Sequence, residues 1–367
     1  MSRDGEQSQL SIERTDPVQA VPNPVINNPY DEPSRYWVYA PDGSPYEAQG
    51  RRPASYFSVG SLVGSMQQDL YAEEERDDLP LVNRLRADVK RWREAGYRGA
   101  TRATKQLLSY WTQPDRPRQL FFYQREAIET LIYLLELGMR DELSRTGFKS
   151  FRVTAKHMTD LLSGVRPDFE EIHQERTVWP SLRDQPHDSN VAALTRMGCK
   201  MATGSGKTLV MAMLITWAFV NRGLSPSSSW FPNAVLVVAP NLTVKERLQV
   251  LRPDNPQSYY RQFDLVPPSY WPFLNEGRVL VTNWHVLGAK SEHAEGGKSY
   301  RVVNKGQEPA DAFARDRLGE LADRLPILVI NDEGHHCWRP KLTDATTDDA
   351  DTDQDVEEAR IWLSGLD

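Results

Sequence analysis

The segment Met201-Ala202-Thr203-Gly204-Ser205-Gly206-Lys207-Thr208 stands between a plausible strand, Leu194 to Lys200, and an apolar helical run, Leu209 to Val220. Glycines at 204 and 206 let the backbone curl so that successive N–H groups face an anion, and a helix starting directly afterwards adds the positive end of its dipole. Thr203, Gly204, Ser205 and Gly206 would then lie against nucleotide phosphates. Lys207 is placed to reach the outer phosphates and Thr208 to hold Mg²⁺. The strict G-x-x-x-x-G-K-T form asks for a glycine five residues before Gly206, where this chain has Met201. A plain glycine-rich turn before a helix is the bland alternative, and the G-S-G-K-T core between such flanks argues against it.

The second signal is Val329-Ile330-Asn331-Asp332-Glu333-Gly334-His335, at the end of an apolar run. An acid at a strand tip can hold Mg²⁺, and a second acid beside it can orient or deprotonate an attacking water. Alone, an acidic pair after a strand says little. Together with the phosphate loop, Asp332 and Glu333 complete two halves of one ATP site in a workable order. His335, His336 and Cys337 could instead suggest a metal cluster, but three adjacent ligands without a distant partner are poor zinc geometry.

Such residues need a scaffold, and the sequence describes one. Short runs rich in Val and Ile end in Pro, Asn or Asp: Ala234 to Pro240, Val279 to Asn283 and Ile327 to Asp332. Separated by helical stretches, they read as buried parallel strands of an α/β sheet, whose ligands sit at the strands' carboxyl ends. Upstream, Gln119 to Leu137 reads as a helix with Ala127, Leu131, Leu134 and Leu135 at helical spacing. The stretch from Arg140 to Asn190 is polar and mixed.

Residues 1 to 53 hold eight prolines among Asn, Asp and Gly, a composition that opposes both helix and ladder. We expect an arm that is largely extended or disordered over 1–80, with its tyrosines and Trp37 laying part of it on a folded body. Leu81 to Trp111 turns helical in two stretches, broken near Gly96 and Gly99. Between Arg84 and Arg118 ten basic residues face only Asp88, Glu94 and Asp115. That excess fits either a face tracking a nucleic-acid backbone or an ordinary solvated helix. The expected organisation is therefore the arm at 1–80, a basic helical segment at 81–118, an α/β domain at 119–342 and an acidic insertion at 343–367.

Composition limits the alternatives. The formal charge is −7, but eight acids and no base fall between Asp344 and Glu358, and setting them aside leaves +1. The acidity is local and does not oppose an anionic partner. An EF-hand reading of Asp351, Asp353 and Asp355 fails, because Val356 and Trp362 occupy the positions that need Gly and Glu. Two cysteines, Cys199 and Cys337, cannot frame a disulfide scaffold or a four-cysteine zinc site, so a cytoplasmic location is the default. The longest apolar run, Leu209 to Val220, is too short to span a bilayer, and no membrane association is expected.

The pair A-T-G-S-G-K-T and D-E-G-H resembles motifs I and II of superfamily 2 DEAD/DEAH-box helicases. With Val238-Ala239-Pro240-Asn241-Leu242-Thr243 added, the chain is most similar to the Res subunits of type III restriction enzymes. The resemblance implies a RecA-like P-loop lobe with a mostly parallel sheet over 119–342, ATP and Mg²⁺ as cofactors, and ATP-driven movement on DNA. It assigns catalysis to Lys207, Asp332, Glu333 and His335, the last coupling the site to bound DNA, and Mg²⁺ to Thr208 and Asp332. Gln124, in Phe122-Tyr123-Gln124-Arg125, matches the glutamine that reads adenine, its amide offering one donor and one acceptor. Pro240 and Thr243 match motif Ia, while Thr282, Asn283 and His285 resemble motif Ib. Both would touch a DNA backbone, though such residues are also common turn formers. Duplex DNA and a methyltransferase (modification) subunit or nuclease domain are the implied partners.

The family continues with a Ser-Ala-Thr element and a second lobe carrying an arginine finger, neither of which occurs before Asp367, and Pro167-Asp168 lacks the E-x-K of a nuclease. The expectation is thus the first lobe of a restriction or defence helicase, slow or inactive by itself. The alternative is a truncated nucleotide- and DNA-binding remnant or scaffold without turnover.

Overall fold

The computed structural model describes residues 20–40, 42–58, 75–138, 197–286 and 315–334, and the chain divides into two units, 1–80 and 81–367. In the first, β1 (Arg35–Tyr39) pairs antiparallel with β2 (Pro45–Gln49), and β3 (Ser55–Ser58) with β4 (Glu75–Asp78). Proline content alone argued against ladders here. They form because the strands fit between prolines, with Pro45 at the first position of β2. Asn27 holds the preceding segment to β1, accepting from the amides of Ser34 and Arg35 and donating to the Arg35 carbonyl. The Trp37 indole donates to Asn23 O, a contact within this unit that ties β1 to the segment before it.

The second unit opens with α1 (Pro80–Glu94) and α2 (Arg102–Trp111). The break between them falls at the two glycines, as their positions predicted. Gly96 and Gly99 take φ of 68° and 83°, and the amides of Gly96 and Tyr97 return to Arg93 O and Trp92 O, closing the end of α1. Thr101 restarts the helix by accepting from the Thr104 amide. Then come α3 (Phe122–Ile132), continued by a wider π turn at Tyr133–Gly138, and α4 (Lys207–Leu224). In α3 the innermost face is Ile128 and Ile132 with Glu129, while Ala127 and Leu131 are only partly buried. The apolar spacing found the helix but misplaced its inner face, because its fully enclosed positions include two glutamates, Glu129 and Glu136, that periodicity treats as polar.

Both are satisfied. Glu129 accepts from Arg93, Arg125 and the Tyr97 hydroxyl, tying α1 to α3. Glu136 accepts from the Thr101 amide, the Thr104 hydroxyl and the Trp217 indole, tying α2 to α4. The cost of burying carboxylates is thereby met by directed donors. The two basic helices accordingly share one hydrophobic core with α4, through Trp92, Leu107, Leu108 and Trp111.

The sheet is β5 (Ala234–Ala239), β6 (Arg278–Asn283) and β7 (Ile327–Asn331), all parallel, in the order β6-β5-β7. Helices α5 (Leu242–Leu248), α6 (Tyr259–Gln262) and α7 (Trp271–Glu276) lie between β5 and β6 in sequence. Every residue of β5 is buried. Val235, Val237 and Ala239 join the core that contains α4, while Ala234, Leu236 and Val238 pack with Trp284 and Leu321 on the opposite face. A strand covered on both faces has no polar side, which explains its unbroken apolar run. The three apolar runs are strands to within a residue of their expected ends. The strand expected at Leu194–Lys200 is not found: residues 197–200 have no regular structure, and 194–196 lie outside the described residues. The α/β, RecA-like class is nonetheless that of the structure.

Candidate functional site

Helix α4 starts at Lys207, so Lys207 and Thr208 occupy its first turn and Gly206 is its cap. Gly204 and Gly206 take φ of 76° and 85°, the left-handed region that glycine enters without steric cost. Ser205 fixes the bend, its amide and hydroxyl both donating to Ala202 O, at 3.2 and 2.6 Å. Thr203 and Gly204 are exposed, and no acid sits in the first turn of α4. The loop and helix start thus present amides, a dipole end and a lysine to an anion.

Gln124 holds this loop from outside. Its Nε2 donates to Ser205 O at 2.9 Å, and its Oε1 accepts from the Phe121 amide at 3.1 Å. A Cβ on Gly206 would lie 2.6 Å from that same Nε2, so any larger residue there would have to displace the Gln124 amide in addition to adopting the positive φ. Gln124 is buried, which sequence alone did not indicate for a residue matched to base recognition.

At the end of β7 the Asp332 amide donates to Val238 O at 3.0 Å, extending the ladder by one bond and fixing the acid at the strand tip. Glu333 turns sharply, with φ of 54°, and its amide donates to the Asp332 carboxylate. Non-glycine residues enter that region at a cost and tend to do so where function requires it. The turn carries the Glu333 carboxylate to Lys207, Nζ to Oε1 at 2.8 Å. That hydrogen bond raises the Lys207 pKa, and burial beside the Glu333 charge raises that of Asp332. The loop lysine and the strand-end acids are therefore neighbours in space. His335 lies outside the described residues.

No group of three or more His, Cys, Asp or Glu among the described residues could hold a metal unaided. Thr208 and Asp332 suit Mg²⁺ all the same, since that ion is usually bound by one or two side chains together with phosphate oxygens and water.

The expected nucleic-acid residues collect at the carboxyl ends of β5 and β6, which are paired through Ala239 and Asn283. Thr243 and His285 are exposed, Pro240 is half-buried, and Thr282 and Asn283 are buried. Asn283 accepts from the His285 amide at 3.0 Å, shaping its own loop. The residue that links the two loops is Trp284, whose indole donates to Pro240 O at 3.0 Å and whose ring lies 3.7 Å from that of His285. Sequence reasoning passed over this tryptophan because it is apolar. Its position between Asn283 and His285 was the available signal.

The family model of the type III restriction enzyme res subunit matches residues 118–349. No curated protein and no solved structure matches the chain. No helix among the described residues is long and apolar enough to cross a membrane. The family match takes in Gln124, the phosphate loop, the parallel sheet and the acids at its tip, and covers more than half of the chain. The chain therefore belongs to the type III restriction enzyme res subunit family, and its α/β body is a helicase-type ATP-binding domain of restriction systems.

Proposed function

We propose that this domain binds Mg·ATP and hydrolyses it to move along duplex DNA, as the first lobe of a restriction or phage-defence translocase. The observation that carries the reading is the 2.8 Å contact between Lys207 and Glu333, because it joins the phosphate-binding and water-activating halves of one reaction.

Nucleotide phosphates compete for Lys207, whose ammonium offsets their charge while the amides of Thr203, Gly204 and Gly206 hold the remaining oxygens. Glu333, released from the lysine, faces the water in line with the outer phosphoryl group and orients it or accepts its proton. Thr208 and Asp332 hold Mg²⁺, which when bound neutralises charge on the phosphates. Gln124 reads the adenine edge with the amide valences that Ser205 and Phe121 leave over.

Thr243 and His285, exposed beside Pro240, touch the DNA backbone, while Thr282 and Asn283 set the shape of the loop beneath them. His335 links this surface to the ATP site. The domain works with a modification subunit or a nuclease domain, in the cytoplasm.

The test is titration of a fluorescent ATP analogue with Mg²⁺ into the wild-type chain and Lys207→Ala. Binding that is weakened at least ten-fold in the variant is expected. Equal affinities would remove the phosphate-loop assignment and the reading built on it.

A further inference from the structure

Several of the basic residues between Arg84 and Arg118 are committed to partners within the chain. Arg93 is bound to Glu129 and Arg91 to Asp88, Arg116 donates to the carbonyls of Tyr110, Phe263 and Asp264, and Arg118 donates to Gln262 O. The basic excess between Arg84 and Arg118 is therefore not one uniform basic face. Arg102 and Lys105 differ from these. Both are exposed on α2, one helical turn apart, and neither side chain has a hydrogen bond or ion pair to a described residue.

They line an open groove of about 650 Å³ between α2 and the segment Pro267–Tyr270. Gln106 and Ser109 add polar groups to the same wall, and the rings of Tyr110 and Tyr270 bound it. The Tyr270 hydroxyl donates to Gln106 Oε1, tying the walls together. From Glu94 to Asp115 the chain has no acid, and the facing stretch Val266–Phe273 has none either. Asp264, the carboxylate nearest in sequence to that wall, is engaged by the Tyr110 hydroxyl.

We propose that this groove is a second nucleic-acid contact, separate from the strand-end loops. Arg102 and Lys105 bind the sugar-phosphate backbone of the track, and Gln106 and Ser109 hydrogen-bond to the same strand. Side chains three apart on a helix stand about 5–6 Å from each other at Cβ, which lets both cations serve one backbone. Two cations with no ion pair to a described residue, polar side chains and flat rings suit a sugar-phosphate strand better than an acidic peptide, which would also ask for apolar pockets for its side chains. This inference rests on the DNA reading above.

The experiment is fluorescence anisotropy of a labelled 20-base-pair duplex with the whole 367-residue chain, at salt concentrations from 50 to 200 mM. The variants are Arg102→Gln with Lys105→Gln, and as a charge control Arg252→Gln with Arg278→Gln. The groove variant should lose about ten-fold or more in affinity at 0.1 M salt and show a log–log salt slope shallower by about two, with Mg·ATP affinity unchanged. The control should keep the wild-type slope. A groove variant with wild-type affinity and slope, or a control that falls equally, would overturn the groove and leave the DNA reading standing. No binding of duplex by wild type would overturn the DNA reading itself. Displacement of the duplex by a glutamate-rich peptide that binds wild type more tightly than DNA does would overturn the proposal in favour of an acidic protein partner.

Discussion

Lys207 Nζ and Glu333 Oε1 lie 2.8 Å apart, so the lysine that would grip phosphate is held by the acid that would activate water. Each group occupies the other, so a nucleotide would have to separate them, and the left-handed turn at Glu333 is the backbone cost of that contact. Neutralising the acid should free the lysine. Glu333→Gln is expected to bind Mg·ATP about three- to ten-fold more tightly than wild type, a gain on the order of 1 kcal/mol for one half-exposed charged pair. Isothermal titration of the two proteins measures it, and weaker binding by the variant would show that Glu333 supports the loop instead of competing with the nucleotide.

Gly204 and Gly206 share a left-handed backbone, but only Gly206 faces Gln124. Alanine at either position should cost about 1–3 kcal/mol of local strain. Gly206→Ala must in addition push Gln124 off Ser205 O. Its nucleotide affinity should therefore fall clearly further than that of Gly204→Ala, for which a Cβ meets nothing within 4 Å. Equal losses in a binding assay would deny Gln124 any role in holding the loop.

Gln124→Ala separates that role from base recognition. A glutamine that only supports the loop would, when removed, weaken ATP and GTP equally. One that also reads adenine should lose its preference for ATP, because its donor and acceptor match one base edge and oppose the other. Competition titrations with both nucleotides decide between the two.

Arg93 reaches Glu129, which is wholly buried, in a two-pronged ion pair. Arg93→Ala leaves that carboxylate with Arg125 and Tyr97 alone and should destabilise the domain by on the order of 3 kcal/mol. Arg98, exposed nearby, should cost less than about 0.5 kcal/mol when replaced by alanine. Urea melts of both variants test the difference. Similar midpoints would mean that the Glu129 cluster contributes little.

Trp284→Phe keeps an aromatic, though smaller, ring and removes the indole N–H that bonds to Pro240 O. About 1 kcal/mol of stability should go with it. If the two strand-end loops form one DNA surface, duplex affinity should drop while Mg·ATP affinity holds, and anisotropy beside nucleotide titration reads both.

The α/β class, the three strands with their ends, and the loop and acid motifs were all legible in the sequence. Each depends on local chemistry: glycine at left-handed positions, unbroken Val and Ile runs where both strand faces are covered, and acids placed where such a run stops. Tertiary structure alone decided which polar residues turn inward. Glu129 and Glu136 look like surface residues by type, yet donors from helices more than thirty residues upstream make their burial tolerable. The same holds for the arginines, which sequence counts as equal. Arg93 and Arg116 are consumed in the core while Arg102 and Lys105 are left facing a groove, because the hydrogen-bonding partner of a long flexible side chain is set by what the fold brings beside it.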